Sequence, residues 1–304
     1  MIIIRLSGGL GNQLFQYALA VSLRERGGLD ITIDPHFLFS PQEGVTRRSY
    51  VLDKFNVSFG ITTDEDIKKL GVPRLEDERI LSKIKRKLIK IIDWVKPFHK
   101  KKIIVAKDSQ SFDPRILKIE GESYLAGNWA SPKYFSQAEK NILKDITLKG
   151  PMSIKALAIL DNIQDKDLCA VSLHIRRGDH SGVYSSKIGA IPISFYQEAM
   201  RIIEKKESTR CFFFIFTDDV EYVKDNLSLN EKFIFVSKNG VPDYEELILM
   251  TKCKHNIISN STFSWWGAWL NQNPDKMVIA PKIQRTDGKN TSDYIPEELG
   301  WIRI

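Results

Sequence analysis

CAVSLHIRRGD, residues 169–179, decides how the second half of the chain is read. Cys169–Ile175 is a short, mostly apolar run, and it ends abruptly in Arg176, Arg177 and Asp179. A strand that is apolar at successive positions belongs in a parallel sheet covered on both faces, because each side meets packing rather than water. Runs of the same kind recur at residues 211–216, 233–236, 256–259 and 277–280. Between them, 192–206, 244–252 and 262–270 carry helical patterning, the first opening on Pro192, a residue tolerated at a helix start. Strand and helix alternate, as in an α/β sheet.

The N-terminus repeats the theme. Residues 2–6 (IIIRL) read as a strand and 7–13 (SGGLGNQ) as a tight turn. Residues 14–26 read as a helix with Leu14, Tyr17, Ala18 and Val21 on one stripe, and 29–33 as a second strand, a βαβ opening. Residues 40–120 are less regular, and Gly150–Pro151 marks a boundary. A chain of 304 residues exceeds what one core usually serves, so two domains are expected, 1–150 and 151–304. The expected fold class is α/β, two domains facing across a cleft, with ligands held beyond the carboxyl ends of the strands.

Hydrophobic content of 42% and charged content of 27% argue for a globular protein rather than a disordered or fibrous one. Cys169, Cys211 and Cys253 are scattered with no CxxC, so buried free thiols in a reducing compartment are expected. No segment has transmembrane length, and the N-terminal apolar run stops at Arg5, unlike a signal peptide; a cytoplasmic location is expected. The net charge of +7 is concentrated: Lys83 to Lys107 holds ten Lys and Arg against one acidic residue, Asp93. Ile84, Leu88, Ile91, Ile92 and Val95 run through its first part, the pattern of a basic amphipathic helix. Two readings stand: a solvated helix face, or peripheral contact of residues 83–107 with an anionic membrane. Nucleic acid is not an expected partner, since no stacking platform or recognition motif accompanies the charge.

Polar residues collect at the expected strand ends: Arg176, Arg177 and Asp179, then Thr217, Asp218 and Asp219, then Ser259-Asn260-Ser261-Thr262 before a helix. A guanidinium stays charged and offers a planar fork of donors, which suits a phosphorylated ligand. Ser261 and Thr262 add hydroxyls at a helix start, where unpaired N–H groups and the helix dipole favour an anion. Ser261 also fits a plain N-cap, and the two roles are compatible. Strand alternation groups His174 with Arg176, so His174 reads as a support for that arginine, with a general base as the alternative. Arg176 and Arg177 face opposite ways if the strand persists. One would bind phosphate while the other braces on Asp179 or Asp218, and the sequence leaves open which.

The Ser7–Gln13 turn lacks the Gly-Lys-Ser/Thr of a Walker loop and the last glycine of GxGxxG. Its glycines permit close backbone approach, and Asn12 and Gln13 supply neutral hydrogen bonds suited to a sugar or a leaving-group oxygen. A plain helix-entry turn is the alternative. His36, His99, His174, His180 and His255 show no metal-ligand spacing, and no GxSxG nucleophile elbow occurs. Asp218 and Asp219 offer carboxylates to magnesium, but the arginines can neutralise a diphosphate without it.

Three segments together, SGGLGNQLFQYALA at 7–20, HIRRGD at 174–179 and SNSTFSWWGAWL at 259–270, closely resemble the α-1,2-fucosyltransferase family, glycosyltransferase family 11. The likeness runs from Ile3 to about Pro281 and is weakest between residues 40 and 120. HxRRxD alone is less specific, because α-1,6- and protein O-fucosyltransferases resemble it too. The resemblance implies a GT-B-like fold of two Rossmann-like domains, with the donor held mainly by 151–304 and the acceptor by 1–150. It implies inverting transfer of L-fucose from GDP-β-L-fucose to the 2-hydroxyl of a β-galactoside, without a metal. Arg176 would be the main diphosphate ligand, Arg177 and Asp179 would fix the loop, and Ser261 and Thr262 would help hold the diphosphate. Asp218 is a candidate for nucleotide recognition, with Asn12 and Gln13 near the fucose and acceptor. The catalytic set is then Arg176, Asp179 and Asn12, with His174 beside the donor. His180 stands where an aromatic residue is expected. A role in O-antigen or other surface-glycan assembly at the inner face of a bacterial membrane is expected from the same likeness taken with the lack of a transmembrane segment and the basic 83–107 stretch. Rival readings are a fucosyltransferase of another linkage and a non-catalytic basic α/β binding module.

Overall fold

The computed structural model describes residues 1–40, 48–177, 189–228, 233–285, 287–288 and 291–304. They form two compact units, Met1–Lys149 with Ser292–Tyr294, and Gly150–Thr291 with Ile295–Ile304. Each is built on a parallel sheet with helical crossovers, the architecture of two Rossmann-like domains of GT-B type.

In the first unit, β1 (Ile2–Arg5), β2 (Ile31–Asp34), β3 (Gly60–Ile61), β4 (Ile103–Val105) and β5 (Ser123–Ala126) pair in the order β3-β2-β1-β5-β4. Ile2, Ile3 and Ile4 are completely buried, as three consecutive isoleucines require of a strand covered on both faces. The helix after β1 spans Leu10–Gly27, so Asn12 and Gln13 lie in its first turn rather than in the loop expected at 7–13. It stops at Gly28, whose left-handed backbone (φ 58°) brings its N–H to the Arg24 carbonyl. The chain revisits this unit at Ser292–Tyr294, where Asp293 pairs with Lys133 at 2.7 Å and Tyr294 meets Phe15 with ring centroids 6.1 Å apart. Among its described residues, the irregular 40–120 stretch holds two α-helices, Asp64–Leu70 and Ile80–Val95. The first carries a reciprocal Thr63–Asp66 capping box. Within the basic 83–107 stretch the helix ends at Val95, and Ile103 and Ile104 are buried in β4, where the sequence reads a short strand over 103–106.

In the second unit, β6 (Cys169–Ile175), β7 (Cys211–Thr217), β8 (Phe233–Phe235), β9 (His255–Ile257), β10 (Val278–Ala280) and β11 (Ile302–Arg303) pair in the order β11-β10-β9-β6-β7-β8. The chain runs outward from β6 to β8, then returns to β9 beside β6 and runs outward the other way. The order reverses between β6 and β9, and a crevice at such strand ends is where open α/β sheets take ligands. Both faces are covered. Val171, Leu173, Ile215, Ile257 and Ile279 enter one core, while Ala170, Phe214 and Phe216 enter another with Leu249 and Met250. The strand expected at 256–259 ends at Ile257, which leaves Ser259 in the loop at the reversal point. Two residues of β11 are too few to show a pattern in the sequence.

Candidate functional site

At the reversal point His174 is 5% exposed, and its Nδ1 lies 2.9 Å from the Ser259 Oγ. Its ring sits 5.6 Å from that of Phe263. The imidazole is thus buried support joining the end of β6 to the loop that starts the Thr262–Trp269 helix.

The chain leaving β6 is clamped by a carboxylate from the end of β7. Asp218 Oδ2 pairs with Arg176 Nε at 3.1 Å, and Oδ1 accepts from the Arg177 backbone N–H at 2.8 Å. The Arg177 guanidinium instead lies 3.6 Å over the Tyr222 ring. The two arginines take different partners, but β6 ends at Ile175, so the alternation expected to carry through them stops before either one. Arg176 and Asp218 stay 24% and 23% exposed, so their charges remain within reach of a ligand. Asp219 turns away: its Oδ1 caps the Val220–Asn226 helix by accepting from Tyr222 N–H at 3.0 Å. Thr217 Oγ1 holds the Asp219 N–H at 3.1 Å.

Ser261 is the N-cap of the Thr262–Trp269 helix, its hydroxyl accepting from Phe263 N–H at 3.3 Å. Trp265 and Trp266 are both completely buried, so neither faces a ligand. Gly267 lets this helix press on the Asp243–Lys252 helix, since a Cβ there would stand 2.8 Å from the Met250 sulfur. That close approach fixes where the helix start, with Ser261 and Thr262, lies at the rim.

In the first unit the glycine turn is neutral. Gly8 has φ 77°, and a Cβ on it would stand 2.2 Å from Asn12 Nδ2. Glycine is therefore required twice over, by its backbone and by the half-buried Asn12 side chain against it. Gln13 is fully buried. Its Nε2 donates to the Gly8 and Ser49 carbonyls at 3.1 and 2.8 Å, and its Oε1 accepts from Val51 N–H at 3.2 Å. Both amide hydrogens are used on backbone, so Gln13 braces the turn where the sequence suggested a ligand contact. Gln16, which the sequence reading did not single out, ties the turn to the end of β5. It exchanges bonds with Ser7 N–H and Oγ at 3.0 and 2.9 Å and donates to the Gly127 carbonyl at 3.0 Å.

A buried charged cluster beside this turn was also missed. Asp34, at the end of β2, accepts from Tyr124 Oη at 2.9 Å and from Arg74 Nε at 3.2 Å. Arg74 reaches on to Asp64 at 2.7 Å, and burial pushes the Glu76 carboxyl above its ordinary range. Its members come from four separate segments, so no spacing announces them; an Asp ending an apolar strand is the one visible sign.

Among the described residues one cluster has metal-ligating side chains, Cys169, Glu207 and His255, with ligand atoms within 4.8 Å of one another. It lies at the amino ends of β6 and β9, away from the arginines. Its internal pairing accounts for it. His255 Nδ1 accepts from Met277 N–H at 2.9 Å, which places the proton on Nε2, facing Glu207 Oε1 at 2.9 Å. Glu207 Oε2 pairs with Lys254 at 2.6 Å, and the Cys169 thiol is pushed up by its neighbour Cys211 and by burial. A metal on Nε2 would need the proton on Nδ1, against a backbone donor. Asp179 and His180 fall outside the described residues.

The model of the family described as "Glycosyl transferase family 11" matches residues 1–304. The "O-antigen biosynthesis glycosyltransferase WbnK" of Escherichia coli is 30% identical, over 98% of this chain and 99% of its own. An "Alpha-1,2-colitosyltransferase" of the same species is 28% identical over 100% and 99%. A solved FUT1 mutant of Arabidopsis thaliana in complex with GDP shares the fold, with 9% identity, a TM-score of 0.50 and coverage of 93% of this chain and 71% of that one. The whole-length family match, with a relative at 30% identity across nearly the entire chain, places this protein in glycosyl transferase family 11 and makes it a glycosyltransferase.

Proposed function

We propose a fucosyltransferase-type enzyme with a GDP-sugar donor. In its finer form it moves L-fucose from GDP-β-L-fucose to the 2-hydroxyl of a terminal β-galactose on a glycan, with inversion. One observation carries this reading: two guanidiniums, ordered by one carboxylate and one aromatic ring, stand at the strand-order reversal of the second sheet. A leaving nucleoside diphosphate gains negative charge as the glycosidic bond breaks, and donors fixed in advance stabilise it without reorganising. Arg176 is assigned the diphosphate, held at its Nε by Asp218. Arg177 fixes the chain through Tyr222 and its own N–H. Ser261 and Thr262 bring hydroxyls and the first helical N–H groups, and Asp218 stands beside the arginines for the nucleotide. His174 acts through Ser259 as a positioning residue. The sugar carbon takes on oxocarbenium character, and the neutral Asn12 turn of the first unit is assigned to the acceptor side, where another cation would oppose it. These groups supply the charge the departure needs, so the proposal includes no metal.

By their descriptions, the Escherichia coli colitosyltransferase supports a 1,2-linkage and the O-antigen biosynthesis glycosyltransferase supports a role in O-antigen assembly. The colitosyltransferase likeness favours a second reading, the same linkage with a different sugar. Incubation with GDP-fucose, with and without β-galactosides of known linkage, tests the proposal. GDP release that depends on a galactoside, with NMR linkage analysis giving fucose on the 2-hydroxyl, is the expected result. A product linked at the 6-position or to protein replaces the acceptor reading. Binding of GDP-fucose without turnover on any acceptor replaces the enzyme reading by a binding module.

A further inference from the structure

The Ile80–Val95 helix is mounted with its polar side inward. Ser82, Arg86, Ile89 and Asp93 recur at helical spacing and hold it to the first unit. Ser82 donates to Asp77 at 2.7 Å, and Arg86 donates to the Arg74 and Asp77 carbonyls, each at 2.7 Å. Asp93 Oδ2 accepts the Lys102 and Ile103 N–H groups, both at 2.9 Å. Only Ile89 reaches the apolar cluster of Ile3, Val72 and Tyr124.

The apolar side faces outward. Leu81, Trp94, Ile80 and Val95 are 81%, 83%, 76% and 75% exposed, and Ile84, Leu88, Ile91 and Ile92 are more than half exposed. Of the fourteen exposed large hydrophobic residues among those described, these are eight. At about 100° per residue, Ile80, Ile84, Leu88, Ile91 and Val95 form one stripe. Lys83, Lys87 and Lys90 flank it on one side, and Lys85 and Lys96 on the other. The one acidic residue of the helix, Asp93, is buried against the backbone.

We propose that this face lies in the interface of an anionic lipid bilayer. An apolar stripe bordered by lysines matches acyl chains bordered by negative headgroups, and an exposed tryptophan near one end suits the headgroup level. No described helix is long and apolar enough to cross a membrane, so the helix lies along the surface. A second copy of the chain fits worse. Lys83 already pairs with Glu78 and Lys96 with Asp93, and a two-fold pairing of this face sets Lys87 and Lys90 against their own copies with no exposed carboxylate on the helix to answer them. The inference does not depend on which sugar the enzyme transfers.

The test is co-sedimentation of the full chain with vesicles of equal parts phosphatidylcholine and phosphatidylglycerol, beside vesicles of phosphatidylcholine alone. Binding to the anionic vesicles only, weakened by salt, is expected. Replacing Lys83, Lys87 and Lys90 by Gln lowers the partition coefficient by about a hundredfold, at roughly fivefold for each lysine near the surface. Leu88→Ser with Ile91→Ser abolishes binding while circular dichroism and transfer to a soluble acceptor stay at wild-type values. A Trp94→Phe chain loses the blue shift that vesicles induce in the wild type. Failure to sediment with anionic vesicles overturns the proposal. So does a dimer in sedimentation velocity that the Leu88/Ile91 variant dissociates.

Discussion

At the carboxyl end of β6 the side chains that meet are charged and part-exposed: Arg176 and Arg177 around Asp218. At the carboxyl end of β1 the turn is tied by neutral, buried amides: Gln13 and Gln16 around the Ser7–Gly8 backbone. The same sheet architecture supports both, so the difference lies in what each rim must meet. An ion pair that keeps water contact is worth only about 0–1 kcal/mol to stability, and its use is to aim a guanidinium. A buried amide with every hydrogen placed costs about 1–3 kcal/mol when a partner is left unpaired. The second rim should therefore be read in kinetics and the first in stability.

Arg176→Ala gives the largest expected effect, a loss of roughly 10²–10³ in kcat/KM for the donor, the size seen when one preorganised donor is removed. Its thermal midpoint should stay within a few degrees of wild type. A variant that keeps full transfer rate and GDP affinity would break the contrast between the rims. Gln16→Ala should behave in reverse. It orphans Ser7 N–H and the Gly127 carbonyl, so unfolding stability falls by about 2–3 kcal/mol in denaturant titration while GDP affinity is retained. Gly8→Ala sits between them. Left-handed backbone and the contact with Asn12 cost about 1–3 kcal/mol, and displacement of Asn12 should lower kcat more than it raises the KM for donor.

Much of the second unit was legible because its strands are long. The seven residues of β6 and of β7 announce burial on both faces, and their ends mark where polar residues collect. The split between Arg176 and Arg177 was not legible in this way, because β6 ends at Ile175 and alternation stops before either residue. What the sequence left open was which carboxylate answers them, since Asp218 reaches Arg176 through strand neighbours paired at long range. The first unit was harder for a physical reason. β3 has two residues, too few for a period, and helix entry at Leu10 was hidden by glycines that look like loop, although the short apolar run over 103–106 does read as the strand that β4 forms. Gln13 read as a ligand because an amide beside glycines is equally fit for a sugar or for backbone. Only the positions of Ser49 and Val51 decide for backbone. The outward apolar face of the Ile80–Val95 helix inverts the usual rule that an amphipathic helix turns its stripe to the core, so its pattern was readable and its orientation was not.

The smallest effect tests whether the charged rim is backed by a titrating group. Thr217 N–H donates to Ser237 Oγ at 3.1 Å, and Ser237 in turn meets the half-buried Glu246 carboxyl. Burial first, and the charge of Asp243 after it, push Glu246 up to about 7, against the hydrogen bond from Ser237, which lowers it. A carboxyl raised on folding is more favourably protonated in the native state than in the unfolded one. Its contribution is thus complete below the ordinary value of 4.5 and is lost as pH rises to about 7. Glu246→Gln keeps the neutral form at every pH. The variant should match wild type at pH 4 and exceed it at pH 8 by about 1–3 kcal/mol, a range reduced for the water this group still meets. Chemical denaturation at the two pH values measures the difference. Parallel pH dependence in both proteins would place the titration elsewhere.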